Sequence, residues 1–353
     1  MVWIDSEGDP EKASRAYIGA VVREGIAATT FDWYSGVGVA LMDLTARYKI
    51  PHFFGGGATD LINQKYESDP EKYQYWEEGK FWPIPQKLCK AYVEAIEGAI
   101  KKGIWKLKPE EKRVAVYTDT KGWGLTFVKA IAQYFEEAGW EIVSEDHFPT
   151  EETEFYPLLT KLKSKNVKVI AGTVSSPAGF AALIKQANEV GLRSLIVADG
   201  LGWIGEWYEL TGNASNYVLD EIPQWTTKEA KDFRDRYRKK RGREPSASSA
   251  GLGYDGAGFM IEILRTAYDL YGELNSKTIH KVGHELVAKG RLTYTDGILM
   301  KEYKYTPETC PDPIVGKEYF IYPVIQYFNG KGTLIWPEDW AEGAQLQIPD
   351  YLK

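Results

Sequence analysis

The stretch from residue 112 to 192 alternates short apolar runs with amphipathic ones. RVAVYT at 113–118 is apolar and β-branched, DTKGWG at 119–124 supplies turn chemistry, and 125–137 carries the spacing of an amphipathic helix. Gly139 is placed to end that helix in the left-handed region. A strand at 140–143, a helix at 154–163 and a strand at 167–172 follow. Strands and helices alternating at this interval are βαβ units, so the expected fold class is α/β with parallel sheets and right-handed crossovers. Function is then expected in the loops after the carboxyl ends of the strands.

The flanks continue the alternation. Asp9 and Pro10 open a helix over 10–24, followed by a strand at 26–31, a helix at 36–48, a strand at 51–54 and the loop GGGAT at 55–59. A polar, aromatic insertion spans 63–80, and FWPIP at 81–85 reads as the exit from a first lobe. Downstream lie a strand at 194–198 closing on Asp199-Gly200, another at 217–221, and Thr226 as N-cap of a charged helix over 227–241. Glu244-Pro245 breaks that helix, and 250–271 is apolar enough to predict a well-buried one. From Leu292 the pattern changes to hairpin-like strands with turns at 295–297 and 329–332.

A length of 353 residues exceeds what one core fills, so two lobes are expected. Their expected limits are 1–105 and 226–300 for the first, 106–225 for the second, and 301–353 as a return crossover with strands mainly in the second. With 44% hydrophobic and 26% charged residues the composition is that of a globular protein, and no apolar run approaches the roughly 18 residues of a membrane span. Net charge is −7 with basic residues interspersed among acids, which argues against nucleic acid as a partner. Cys89, in a helix over 86–101, and Cys310, in a proline-punctuated loop, are expected to be free thiols.

The chemistry-bearing positions cluster after strands. Trp33, Tyr34, Ser35 and Gly36 join a strand to a helix, where Ser35 either caps the helix or, with exposed backbone N–H groups, faces a carboxylate. Gly57, Ala58 and Thr59 let a ligand approach the main chain, or form only a tight turn ahead of a helix. Trp123 lies between two glycines on an expected loop, Ser175 and Ser176 precede Pro177 at a helix start, and Asp199 ends a strand. Trp82 and Tyr254 near the crossovers would add aromatic walls.

Other patterns carry less. GLGYDG at 251–256 fits a dinucleotide-binding spacing but follows no strand, and His280 and His284 have metal-ligand spacing without a third ligand. Asp146-His147 has no nucleophile beside it, and a Walker loop or zinc constellation is not evident; no cofactor is expected.

The order of motifs resembles a family. The 5–10 turn before a helix, the 117–124 turn, KQANEVGL at 185–192 and GYDG at 253–256 together resemble the extracytoplasmic solute-binding proteins of ABC transporters, leucine/isoleucine/valine-binding type. The resemblance implies the type I periplasmic-binding fold, in which two Rossmann-like lobes joined by crossover segments close on a small molecule. Members begin with a further strand and helix ahead of the region matched by residues 5–13, so the expectation is that fold without them. The resemblance also implies roles: Ala58 or Thr59 in a carboxylate grip, Trp123 as an aromatic lid, and Asp199 as the acid for a ligand ammonium. It implies a non-enzymatic protein, periplasmic or extracellular, that passes a small carboxylate, expected to be an apolar or aromatic amino acid, to a membrane permease. A sensor of the same fold and a nucleotide-dependent α/β enzyme are the alternatives.

Overall fold

The computed structural model describes residues 1–223, 225 and 227–353, and the chain divides into two compact units. One comprises Met1–Ile84, Trp225–Arg236 and Ser249–Ile321; the other comprises Pro85–Gln224, Tyr237–Ser248 and Tyr322–Lys353.

In the first unit α1 (Pro10–Gly19) starts as its sequence dictates: the Asp9 carboxylate accepts from the Lys12 N–H and Pro10 takes the first position. A wider turn carries it on through Glu24. β1 (Thr29–Thr30) pairs in parallel with β2 (His52–Phe53), with α2 (Ser35–Tyr48) between them in the chain. Both strands are shorter than their apolar runs. Phe31 and Phe54, at φ 58° and 59°, turn the chain out of each strand, a conformation costly for a bulky residue. α3 (Asp60–Ser68) runs into the polar insertion, and a 3₁₀ turn at Gln74–Trp76 lies within it.

The second unit begins earlier than expected. α4 (Pro85–Leu88) and α5 (Lys90–Lys101) precede β3 (Arg113–Asp119), α6 (Gly122–Glu137), β4 (Glu141–Phe148), α7 (Tyr156–Ser164), β5 (Val169–Thr173), α8 (Pro177–Glu189), β6 (Leu195–Ala198), α9 (Trp207–Thr211) and β7 (Leu219–Glu221). Tyr92, Val93 and Ile96 of α5 share a core with Val114, Val116 and Phe127, so the boundary expected at 105 falls at Pro85. Residues 301–321, expected mainly in the second lobe, pack with the first unit.

Next in the chain come α10 (Lys228–Arg241), α11 (Gly253–Tyr271) and α12 (Ser276–Val282). Thr226, the expected cap of α10, lies outside the described residues, and the Thr227 hydroxyl accepts from the Ala230 N–H. α11 is not buried all round: Phe259, Ile263 and Ala267 face the core, while Ile261 and Tyr268 are exposed. Between 292 and 321 the expected hairpins reduce, among the described residues, to isolated bridges at Tyr294–Tyr303 and Val315–Phe320. The hairpin at 329–330 does form, joining β8 (Val324–Phe328) to β9 (Lys331–Trp336), with Asn329 and Gly330 both at positive φ as a tight hairpin turn requires.

The large sheet of the second unit runs β4-β3-β5-β6-β7-β8-β9, parallel through β7 and antiparallel beyond it. Side-chain alternation gives it two apolar faces. Val114, Val116, Val169, Ala171, Val197 and Leu219 pack against α5 and α6, and Ala115, Tyr117 and Ile170 pack with Leu159 of α7 and Ile184 of α8. Parallel strands buried on both faces explain the near-continuous apolar runs of the sequence.

Candidate functional site

In the first unit the loops after β1 and β2 are tied to one another. The Ser35 Oγ accepts from the backbone N–H groups of Ala58 and Thr59 at 3.2 and 3.3 Å. Ser35 is therefore not the cap of α2: Tyr34 holds the cap position without a side-chain bond, and Ser35 is the first helical residue. The Ser35 hydroxyl proton is not used by those two bonds. Thr59 caps α3 through the Leu61 N–H.

Beneath these loops sits Asp32, which the sequence reading passed over. Its buried carboxylate meets His52 Nε2 at 2.9 Å, and His52 Nδ1 meets the Thr29 hydroxyl at 2.9 Å. The imidazole stacks on Trp76 with centroids 4.1 Å apart. A methyl group at Gly55 or Gly57 would come within 1.9 or 2.8 Å of the Asp32 oxygens, so the glycines of this loop make room for a carboxylate from their own unit.

The expected aromatic residues separate into two groups. Trp33 meets the buried Trp82 edge to face at 5.9 Å, and Trp33 also lies over Gly56. Tyr34 is exposed and lies over Gly8, while Gly36 is exposed at the start of α2. Tyr254 is 45% exposed and packs on Phe233, apart from these loops in its contacts.

In the second unit the carboxyl ends of β3, β5 and β6 converge. α6 starts at Gly122, so Trp123 occupies its first turn rather than a free loop. Its indole N–H donates to Asp199 Oδ2 at 3.3 Å, and the Tyr92 hydroxyl donates to Oδ1 at 3.0 Å. Trp203 lies 6.3 Å from Trp123, centroid to centroid. Asp199 is buried, and burial together with the nearby Asp220 pushes its carboxyl well above the usual range. The buried Asp119 accepts from the Ser175 and Lys121 N–H groups at 2.6 and 3.0 Å, which fixes the loops after β3 and β5 together. Ser176 caps α8 with Pro177 at its first position, and Ser175 is exposed.

Asp220 holds the turn after β6. It accepts from the Gly200 and Gly202 N–H groups and the Tyr327 hydroxyl, each at 2.7 Å, and burial moves its pKa up to about 6. Gly200 stands at φ 89°, which a side chain would resist, and this is why glycine follows Asp199. Tyr92, Asp220 and Glu221 are missing from the residues expected from sequence, although two consecutive acids ending the apolar strand β7 were a readable signal.

The remaining candidates have structural explanations. His280 contacts Gln74 and stacks on Tyr75, and His284 Nδ1 pairs with Glu77 at 2.7 Å. Among the described residues no group of three His, Cys, Asp or Glu side chains could hold a metal. Cys89 and Cys310 are buried, one in each unit, and neither is in a disulfide. No helix among the described residues is long and apolar enough to cross a membrane.

Comparison with known proteins agrees with this architecture. The Leu/Ile/Val-binding protein homolog 7 of Brucella suis biovar 1 is 22% identical over 250 residues, 68% of this chain and 60% of its own length. The chain thus spans about 60% of the length of the curated relatives it matches. Among solved structures, a leucine-binding protein from Thermotoga maritima superposes with TM-score 0.72 at 20% identity, covering 96% of this chain and 88% of its own. A solute-binding protein of an ABC transporter from Rhodopseudomonas palustris BisB5, in complex with 3,4-dihydroxybenzoic acid, gives TM-score 0.70 at 19% identity over 93% and 82%. At these identities the superpositions establish the type I periplasmic-binding fold. The sequence pattern of the periplasmic binding protein family matches residues 1–296, and the chain belongs to that family.

Proposed function

We propose that this chain is a non-enzymatic solute-binding protein that captures a small carboxylate-bearing molecule outside the cytoplasm and delivers it to an ABC permease. The observation that carries the reading is the convergence of Trp123, Tyr92 and Asp199 at the carboxyl edge of the parallel sheet, where open α/β folds take their ligands. In the first unit the Ser35 hydroxyl, with its proton free to donate, and the N-terminal end of α2 suit a carboxylate. Gly36, Gly57, Ala58 and Thr59 would complete that grip within the first unit, and Ser175 and Ser176 would supply hydroxyls within the second. Family membership and the amino-acid-binding relatives favour an amino acid, and Trp33 and Trp82 in the first unit and Trp123 in the second favour an apolar or aromatic side chain.

A second reading has its own support: relatives of this fold are complexed with 3,4-dihydroxybenzoic acid and with benzoate, aromatic acids that lack an ammonium group. A thermal-shift series over the twenty amino acids and a set of aromatic and aliphatic carboxylates separates the two. A ligand at 100 times its dissociation constant stabilises the native state by about 2.7 kcal/mol, well within detection. Stabilisation by one amino acid, lost on Asp199→Ala, supports the first reading; stabilisation by amine-free acids alone supports the second. A response to nucleotides and to nothing else would remove both.

A further inference from the structure

The register of the large sheet places four polar side chains in one row. Thr118 pairs with Thr173 across β3 and β5, and Val197 pairs with Leu219 across β6 and β7. Two residues beyond that pair come Asp199, just past the end of β6, and Glu221, the last residue of β7, on the face that Val197 and Leu219 share with α5 and α6, and the Asp199 charge acts on Glu221. The row Thr118, Thr173, Asp199, Glu221 therefore lies directly beyond the apolar row Val116, Ala171, Val197, Leu219. A packed core gives way to polar groups at the edge where ligands bind.

Glu221 stands out in this row. Its residue is 97% buried, as 3% of its surface is exposed, yet no hydrogen-bond donor among the described residues reaches its carboxyl group. Asp199 has two donors, and Asp220, on the opposite side of the strand, has four. The titratable groups acting on the Asp199–Glu221 pair are Asp220, Tyr92, Tyr322 and Cys89, with Tyr117 near Asp199; none is a cation. A buried carboxylate without a counter-charge is costly, so such a pair holds protons until a positive group arrives.

We propose that Asp199 and Glu221 form a two-carboxyl subsite for an ammonium-type cation carried by the solute, which enters as the pair gives up a proton to solvent. The inference rests on the solute-binding reading above and adds to it a second acid and a proton. It accounts for Glu221 being buried without a donor: the donors come with the ligand. Burial raises both groups, with Asp220 acting on Asp199 and with Asp199 and Asp220 acting on Glu221; an incoming cation opposes that rise, so binding favours release of a proton.

The test is titration calorimetry of the whole chain at pH 7 with L-phenylalanine, L-leucine, L-lysine, 1,4-diaminobutane, benzoate and 3-phenylpropionate, each in phosphate and in Tris. Binding of at least one amine, with the heat differing between buffers by release of about one proton per ligand, is the expected result. Glu221→Gln, which keeps the shape, should weaken that amine at least tenfold and reduce the proton release. Equal binding of the amine by wild type and Glu221→Gln overturns the subsite, as does amine binding without proton release. Binding of the two carboxylates with no amine bound overturns it too, while leaving the solute-binding reading intact. Silence of the whole panel counts against both. The two-buffer measurement on the wild type needs no variant, so a folding defect in Glu221→Gln would not spare the proposal.

Discussion

The fit between Asp32 and the glycine loop can be tested by adding one methyl group. In Gly55→Ala the new Cβ would lie 1.9 Å from Asp32 Oδ1 and 2.7 Å from the Gly79 carbonyl oxygen. Neither neighbour is free to yield. The same Asp32 oxygen holds His52 at 2.9 Å, and the Gly79 carbonyl accepts from the Gly55 N–H at 2.9 Å. Overpacking of this kind costs about 1–3 kcal/mol, and a lost buried hydrogen bond a further ~1–3 kcal/mol. At about 2–4 °C per kcal/mol for a unit of this size, melting should fall by roughly 4–24 °C. Gly253→Ala is the control within the same unit: nothing lies within 4 Å of its added methyl and it starts α11, so it should be neutral or stabilising by up to ~1 kcal/mol. Calorimetric melting of both variants, and of Gly55→Ala in an Asp32→Ala background, reads the coupling directly. A smaller penalty in that background is expected, because the closest clash is gone. The reasoning fails if Gly55→Ala melts within about 1 °C of the wild type, or costs the same with and without the Asp32 carboxylate.

Three other perturbations have defined outcomes. Lys80 and Asp312 are fully buried, 2.7 Å apart, with Asn63 bonded to both, so Lys80→Met should cost about 3–5 kcal/mol in urea unfolding and Lys80→Met with Asp312→Leu distinctly less. Asp220, raised from 3.8 to about 6, binds more protons folded than unfolded, so its contribution is full below pH 4 and is lost as pH rises to 6. A rise of that size is worth roughly 3 kcal/mol at most, and a urea-midpoint series from pH 4 to 7 should fall less steeply in Asp220→Asn. His280 has the opposite sign: burial lowers it from 6.5 to about 4, so its contribution is present above pH 6.5 and is lost as pH falls toward 4, a dependence that His280→Gln should flatten in the same series.

Much of the second unit was legible because its elements announce themselves locally. Apolar β-branched runs buried on both faces of a parallel sheet leave a signal in every window, and β3, β5 and β6 fall within two residues of where the pattern puts them. The first unit was harder to read because its backbone departs from what side chains prefer. Phe31 and Phe54 adopt left-handed conformations that no propensity encodes, and they end β1 and β2, each of two residues. The boundary at Pro85 was missed for a different reason: an amphipathic helix such as α5 states that it has a buried face but not which core receives it. The candidate site shows the same division. Asp199 and Trp123 stand out in the sequence as a strand-ending acid and an isolated indole, but their hydrogen bond requires knowing that α6 starts at Gly122. Glu221 needed still more, because its place beside Asp199 follows from the pairing of Val197 with Leu219, a relation between residues 22 positions apart in the chain. A period-two count along each strand says that Asp199 and Glu221 share faces with Val197 and Leu219; only the register sets the two acids side by side. That register is what turns two unremarkable acids into a pair that binds either protons or a cation.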